Sequence, residues 1–310
     1  MKIIFFGTPE IAVKTLQVLN MMPDIEIAAV ITQPDKETGR KKIKTPPPIK
    51  IAAKRMELKV LQPENKEELL ELLEDFSPPD FFVVFAYGMI LPKKVLRIPK
   101  HGAINIHTSL LPKYRGASPI QSALLNDDKE TGISVIKMDE EMDHGDIYLL
   151  RRVQIENFDT YESLSKKLAE MSAITTPPVL HDIQSEVLTP IKQDHSKADY
   201  CKKIEKKDGE IDFKKTAKEI QNMLRAYTPW PGIFTNVNGK KIEITELAID
   251  ENESLKSGEF KIEKDSLKIG TSKGILIPQK IKPEGKHEME VKAFLNGYSH
   301  LFKKTLKTQA

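Results

Sequence analysis

Three hundred and ten residues suffice for two domains or one large one, and 39% apolar with 30% charged residues describe a globular chain rather than a disordered one. A formal charge of +3 is too small to announce a nucleic-acid surface, and a single cysteine, Cys201, excludes an internal disulfide or a cysteine-based metal site. The apolar run at residues 3–6 is too short for a signal peptide or a membrane span, so a cytoplasmic protein is expected.

The first half alternates short apolar runs with helix-spaced segments. Residues 3–6, 25–31, 81–85 and 103–106 read as buried strands, and residues 10–19 and 64–76 carry apolar positions at helical spacing. Strands alternating with helices predict an α/β domain on a Rossmann-like open parallel sheet. Ligands of such sheets sit beyond the carboxyl ends of the strands, so residues just after each apolar run carry the most weight. Further strands are expected at residues 133–138 and 153–155, followed by a helix from Tyr161 that Pro177 and Pro178 should kink or end.

Between residues 188 and 208 the chain is polar and lysine-rich without an apolar period. The expected organisation is therefore a sheet domain over residues 1–189, a linker over 190–206 and a second domain over 207–310. In that second domain residues 213–226 have helical spacing, and Pro229-Trp230-Pro231-Gly232 stops it. Short β-patterned runs follow at 234–237, 241–247, 259–262, 267–269 and 275–281, with Asn238-Gly239 as a two-residue hairpin signal. Five short strands with a helix at each end suggest a small β-barrel of OB-like type. This half is mildly basic with one acidic side, a distribution compatible with an oriented polyanion.

Gly7 follows the first strand, but Gly7-Thr8-Pro9-Glu10 lacks the glycine fingerprint of a dinucleotide site and puts an acid where a phosphate would lie. The segment from His101 to Pro112 is more informative. Side chains alternate along a strand, so Asn105 and His107 share one face while Ile104 and Ile106 pack on the other. An amide donor beside an imidazole is what acyl transfer to an amine needs, one for the developing oxyanion and one to carry a proton. Alone the pair is a weak signal, since a core or surface histidine is the commoner reading. Asp143, in a turn dense in carboxylates, by itself reads as an exposed turn residue.

Longer motifs resolve this. Phe6-Gly7-Thr8-Pro9-Glu10, Thr32-Gln33-Pro34-Asp35 with Gly39-Arg40, Ser109-Leu110-Leu111-Pro112 with Arg115-Gly116, Thr131-Gly132, and Pro229-Trp230-Pro231 within the second half together resemble the 10-formyltetrahydrofolate-dependent formyltransferase superfamily. The resemblance covers essentially the whole chain and is nearest to the branch that acts on methionyl-tRNA. It implies that Asn105, His107 and Asp143 are the catalytic trio and that no metal is needed. It also implies that Ser109, Leu110, Leu111 and Pro112 line a folate site, with the backbone at Tyr87, Gly88 and Met89 holding the pterin of 10-formyltetrahydrofolate. His144 stands where the family has a small residue.

The loop over residues 32–50 carries Lys36, Arg40, Lys41, Lys42, Lys44 and Lys50 against only Asp35 and Glu37. A solvated loop is the plain reading of such charge; the resemblance implies instead that Arg40, Lys41 and Lys42 engage the acceptor stem of an initiator methionyl-tRNA. The expected protein is a monomer with no membrane contact. The alternatives are another folate-dependent formyltransferase or a hydrolase, or a non-catalytic RNA-binding relative, for which an intact trio would have no use.

Overall fold

A computed structural model describes residues 1–39 and 42–302. The chain divides into two compact units, the first comprising Met1–Pro119, Glu130–Gln154 and Ser165–Cys201, the second Ile120–Lys129, Ile155–Leu164 and the chain from Lys202 onward.

In chain order the elements up to residue 201 are β1 (Lys2–Gly7), α1 (Val13–Met21), β2 (Glu26–Ile31), β3 (Lys36–Thr38), β4 (Ile43–Thr45), α2 (Pro48–Arg55), β5 (Val60–Leu61), α3 (Lys66–Glu74), β6 (Phe81–Phe85), α4 (Lys93–Leu96), β7 (Ala103–His107), β8 (Arg115–Gly116), α5 (Pro119–Leu125), β9 (Glu130–Lys137), β10 (Ile147–Gln154), α6 (Tyr161–Gln184) and β11 (Tyr200–Cys201). Seven of these strands form one sheet in the order β10-β9-β7-β6-β1-β2-β5. Pairing is parallel from β7 through β6, β1 and β2 to β5, and antiparallel from β7 to β9 and β10. Ile3, Ile4, Phe5, Phe6, Phe81 and Phe82 are fully buried, as continuous apolar runs must be when both faces of a sheet are covered. Each such side chain contributes roughly 1.5–3 kcal/mol of burial, enough to fix the strands that carry the polar residues.

Two sequence expectations change. The strand expected at residues 153–155 runs from Ile147, because β10 is the edge of the sheet and its exposed Arg151 and Arg152 hide the period. The helix from Tyr161 does not end at Pro177 and Pro178 but continues to Gln184. Ala173, Thr175, Thr176, Val179 and Leu180 are buried along it, and the Thr176 and Ser172 hydroxyls donate to carbonyls one turn back. Tertiary burial there outweighs a cost of about 3 kcal/mol for an interior proline.

Residues 190–206, expected as a linker, carry more structure than their composition suggests. Ile191 bridges to Ile147, and β11 pairs in parallel with β8.

The second unit contains α7 (Ala217–Tyr227), β12 (Ile233–Val237), β13 (Lys240–Asp250), β14 (Phe260–Glu263), β15 (Ser266–Gly270), β16 (Ile275–Pro283), β17 (Met289–Glu290) and α8 (Val291–Tyr298). The strands form an antiparallel sheet in the order β12-β13-β16-β15-β14, with β17 on β16. Register shifts between Ile244 and Leu247 mark bulges that bend β13. Thr216 and Glu219 form a reciprocal capping box at the start of α7, and the nearly buried Arg225 of that helix donates to the Asp159 carbonyl and the Asn222 amide.

Candidate active site

Strand β7 sits where the sheet turns from parallel to antiparallel, with Asn105 opposite Val84 of β6 on one side and Ile136 of β9 on the other. Ile104 and Ile106 are buried, so alternation leaves Asn105 and His107 on the opposite face. Both reach Asp143. The Asn105 Nδ2 group donates to Asp143 Oδ1 at 3.2 Å, and His107 Nδ1 lies 3.4 Å from the same oxygen. The Gly116 N–H donates to Asp143 Oδ2 at 2.8 Å. The three residues named by resemblance are thus one cluster, with the Asp143 side chain only 12% exposed and that of His107 6%.

His107 is also held from behind. Its Nε2 faces the Tyr114 carbonyl at 2.8 Å, which can only accept, so Nε2 carries the hydrogen and Nδ1 is the nitrogen turned to Asp143. The turn that brings Tyr114 back begins at Ser109, whose hydroxyl donates to the Lys113 carbonyl at 2.5 Å. Ser134 of β9, fully buried, closes it: its hydroxyl donates to the Ser109 carbonyl at 2.6 Å and accepts from the Leu111 N–H at 3.0 Å. Ser109 and Leu111 are buried, while Leu110 and Pro112 are half-buried.

Tyr87, Gly88 and Met89 follow β6. The Tyr87 ring is buried against Phe6, and its carbonyl accepts from the Thr8 hydroxyl at 2.7 Å. Burial of that ring raises its phenol well above the ordinary range. The side chain therefore belongs to the core, and what this segment can offer a ligand is backbone, shaped by Gly88 at a φ of +87°.

A second layer of polar residues stands behind Asp143. Arg115, 1% exposed, donates through Nε and Nη2 to Gln193 Oε1 at 3.2 and 2.7 Å, through Nη2 to His195 Nδ1 at 2.8 Å and through Nη1 to the Tyr200 hydroxyl at 3.2 Å. Gln193 Nε2 donates to the carbonyls of Asp143 and Gly145 at 2.9 and 2.7 Å. The His195 ring stacks on His144 with centroids 4.0 Å apart, and His144 Nδ1 donates to the Asp139 carboxylate at 2.6 Å. Arg115 was visible within its motif. Gln193 and His195 lie in a polar stretch without period, where no sequence signal separates a buried amide from a solvated one.

The basic loop folds as a short hairpin, β3 against β4, with every strand residue exposed. Lys42 lies at its turn, exposed, at a φ of +48°; Arg40 and Lys41 lie outside the described residues. Lys50 does not join the exposed set. Its amine bonds both oxygens of Asp35 at 2.7 and 2.8 Å, and the Gln62 amide donates to Asp35 as well, which together hold that carboxyl below its usual range. Among the described residues no group of three or more His, Cys, Asp or Glu side chains could hold a metal, and no helix is long and apolar enough to cross a membrane.

Residues 1–180 match the formyl transferase family and residues 203–299 the formyl transferase C-terminal domain. The chain is 43% identical over 305 residues to a methionyl-tRNA formyltransferase of Caldicellulosiruptor saccharolyticus, covering 96% of this chain and 97% of that protein. It is 40% identical over 313 residues to one of Desulfotalea psychrophila, with 99% and 96% covered. Among solved structures, an N-formyltransferase from Helicobacter canadensis in complex with folinic acid and dTDP-3-aminofucose is similar at a TM-score of 0.66 and 21% identity, over 90% of this chain and 98% of that one. HypX from Aquifex aeolicus in complex with tetrahydrofolic acid is similar at 0.63 and 16%, over 98% and 48%. At these identities the structural likeness speaks for the fold.

Proposed function

The chain belongs to the formyl transferase family, and we propose that it moves the formyl group of 10-formyltetrahydrofolate to the free amino group of initiator methionyl-tRNA, as a cytoplasmic monomer. The acceptor is supported by relatives of that name at 37–43% identity over nearly the whole chain. The chemistry rests above all on one observation, the convergence of Asn105 and His107 on the Asp143 carboxylate.

In this reading the neutral amine attacks the formyl carbon and a C–N bond forms. Asp143, directly or through a water, takes the proton released by the amine. The carbonyl oxygen becomes an oxyanion, stabilised by the second N–H of the Asn105 amide and by His107. The proton taken up by Asp143 passes to His107 Nδ1 across the 3.4 Å that separates them. Collapse then breaks the bond from the formyl carbon to the folate nitrogen, which leaves with that proton from Nδ1, so the pair ends as it began. The separation of Asp143 from His107 is longer than a good hydrogen bond, and a short closure on binding substrate brings it into range. Ser109, Leu110, Leu111 and Pro112 would line the folate, and the peptide groups at Tyr87, Gly88 and Met89 would meet the pterin. Residues 1–189 would carry the chemistry and residues 207–310 would engage the tRNA, with Arg40, Lys41 and Lys42 reaching its acceptor stem.

Other folate-dependent formyltransferases with a small amine acceptor, hydrolases, and a non-catalytic RNA-binding role are the competing readings. A purely binding protein has no need of a convergent, largely enclosed Asn-His-Asp cluster. The decisive experiment measures formyl transfer from 10-formyltetrahydrofolate to charged methionyl-tRNA, free methionine and uncharged tRNA. Turnover with the charged tRNA alone is expected; equal transfer to free methionine would overturn the tRNA assignment, and no transfer would overturn the reaction.

A further inference from the structure

We infer that Gln193, oriented by Arg115, is a positioning residue for the Asp143 carboxylate, so that the polar segment after residue 189 belongs to the catalytic apparatus. The inference rests on the reaction proposed above.

Asp143 has a left-handed backbone, with φ at +53°. That conformation is disfavoured for most residues with a Cβ and only tolerated by Asp and Asn, so contacts to the neighbouring backbone help to hold it. The Gln193 amide supplies them. Its two N–H bonds point at the carbonyls of Asp143 and Gly145, on either side of His144, and so clasp the turn by its backbone. An amide can be reversed end for end, and reversal would set its oxygen against both carbonyls. Arg115 forbids it: a guanidinium has donors only, and two of them meet Gln193 Oε1, so the NH2 end must face the turn.

The arrangement closes on itself. The residue after Arg115 is Gly116, whose N–H holds Asp143 Oδ2 at 2.8 Å. One two-residue strand thus grips Asp143 twice, at its carboxylate through Gly116 and at its main chain through Arg115 and Gln193. The strand itself is fixed by β11, and the Arg115 N–H donates to the Asp199 carbonyl at 2.8 Å. Gln193 is 5% exposed, so water cannot replace its four bonds at comparable geometry. His195 and Tyr200 each accept a further Arg115 donor and keep the guanidinium plane where Gln193 needs it.

Gln193→Glu separates orientation from packing. The carboxylate has the amide's shape and keeps, even strengthens, the bonds from Arg115, but it offers no hydrogen to the two carbonyls. In the full-length protein this variant should keep its affinity for tetrahydrofolate within about threefold and lose only a few degrees of melting temperature, since its second oxygen now faces the two carbonyls while the bonds from Arg115 remain. Its kcat for formyl transfer to methionyl-tRNA should fall roughly 10- to 100-fold, the scale of a displaced reacting group. Deuterium uptake in residues 139–146 should be faster than in wild type, a readout that needs no turnover. Unchanged uptake, or a kcat within threefold of wild type, overturns the inference. A fall in kcat matched by equal losses of folate affinity and melting temperature overturns it too, since Gln193 would then only support the fold. Wild type assayed alongside keeps the two readings apart: an inactive wild type counts against the reaction, while the uptake of the 139–146 turn still decides the positioning.

Discussion

Two charged loops of the first unit are held in opposite ways. The turn carrying Asp143 is gripped from every side: Asn105, His107 and Gly116 on the carboxylate, Gln193 on the backbone, and Asp139 with His195 around His144. The β3–β4 hairpin is bonded mainly to itself, as in the 2.5 Å pair between the Thr38 and Thr45 hydroxyls, and is anchored at its base by Lys50 and Gln62 on Asp35. The difference follows the size of what each would meet. A group that exchanges a proton with one atom must be fixed within about half an ångström, whereas charge meant for a polyanion need only be present, solvated and on the right side.

That contrast breaks most severely if the gripped turn tolerates change. His107→Ala and Asp143→Asn should each lower turnover by roughly two to four orders of magnitude with folate binding little altered. Asp143→Asn keeps the shape, so activity near wild type would show that its carboxylate is not the base. Gly116→Ala comes next. Its φ of +112° suits glycine, and an added Cβ would collide with the Cys201 carbonyl oxygen. Strain on the order of 1–3 kcal/mol should appear as a lower melting temperature, with a loss of turnover because the Gly116 N–H moves off Asp143. An unchanged melting temperature would mean that β8 and β11 separate at little cost.

Changes in the basic loop should have smaller, salt-dependent effects. Arg40→Ala should lower kcat/KM for methionyl-tRNA by about 1.5–3 kcal/mol, a lost charged hydrogen bond, and Arg40→Lys should restore only part. The salt dependence should be shallower in the Ala variant. An unaltered kcat/KM across a salt series would leave the hairpin as solvated surface. Smallest of all is the effect of acid on the hairpin base. Lys50 and Gln62 depress the Asp35 carboxyl from 3.8, so the stability they lend is complete above the unfolded value and fades as pH falls through the lower folded one. Protection of residues 33–50, taken as deuterium uptake relative to the intrinsic exchange rate at each pH, should match at pH 5 and 7 and fall below about pH 4, while Asp35→Asn should show the lowered protection throughout. Equal uptake in Asp35→Asn and wild type at pH 7 would remove Asp35 as the anchor.

Legibility in the sequence follows the same division. Residues 3–6 and 81–85 announce buried strands because both faces of a parallel sheet are apolar, and Asn105 and His107 are readable as a pair because a strand alternates. Asp143 is not readable from its own turn; only the longer motifs bring it in. The 24-residue α6 was obscured by Pro177 and Pro178, since local propensity is silent about the buried Thr175, Thr176 and Val179 that keep the helix intact. Gln193 and His195 were invisible for a related reason. Their partners, Asp143 and Arg115, lie 50 and 80 positions earlier in the chain.

Those separations have a consequence for the order in which the molecule is made. Tyr200 stands 85 positions beyond Arg115, the residue whose guanidinium it accepts. At roughly 5–20 residues per second a ribosome needs about 4–17 s to cover that interval. Until then the Arg115 guanidinium must stay hydrated, and β8 has no β11 to pair with. Long-range closures of this kind are entropically expensive and form late. The nascent chain can therefore assemble its apolar sheet early, while the Asp143 turn is latched only when the stretch around Gln193 to Cys201 emerges.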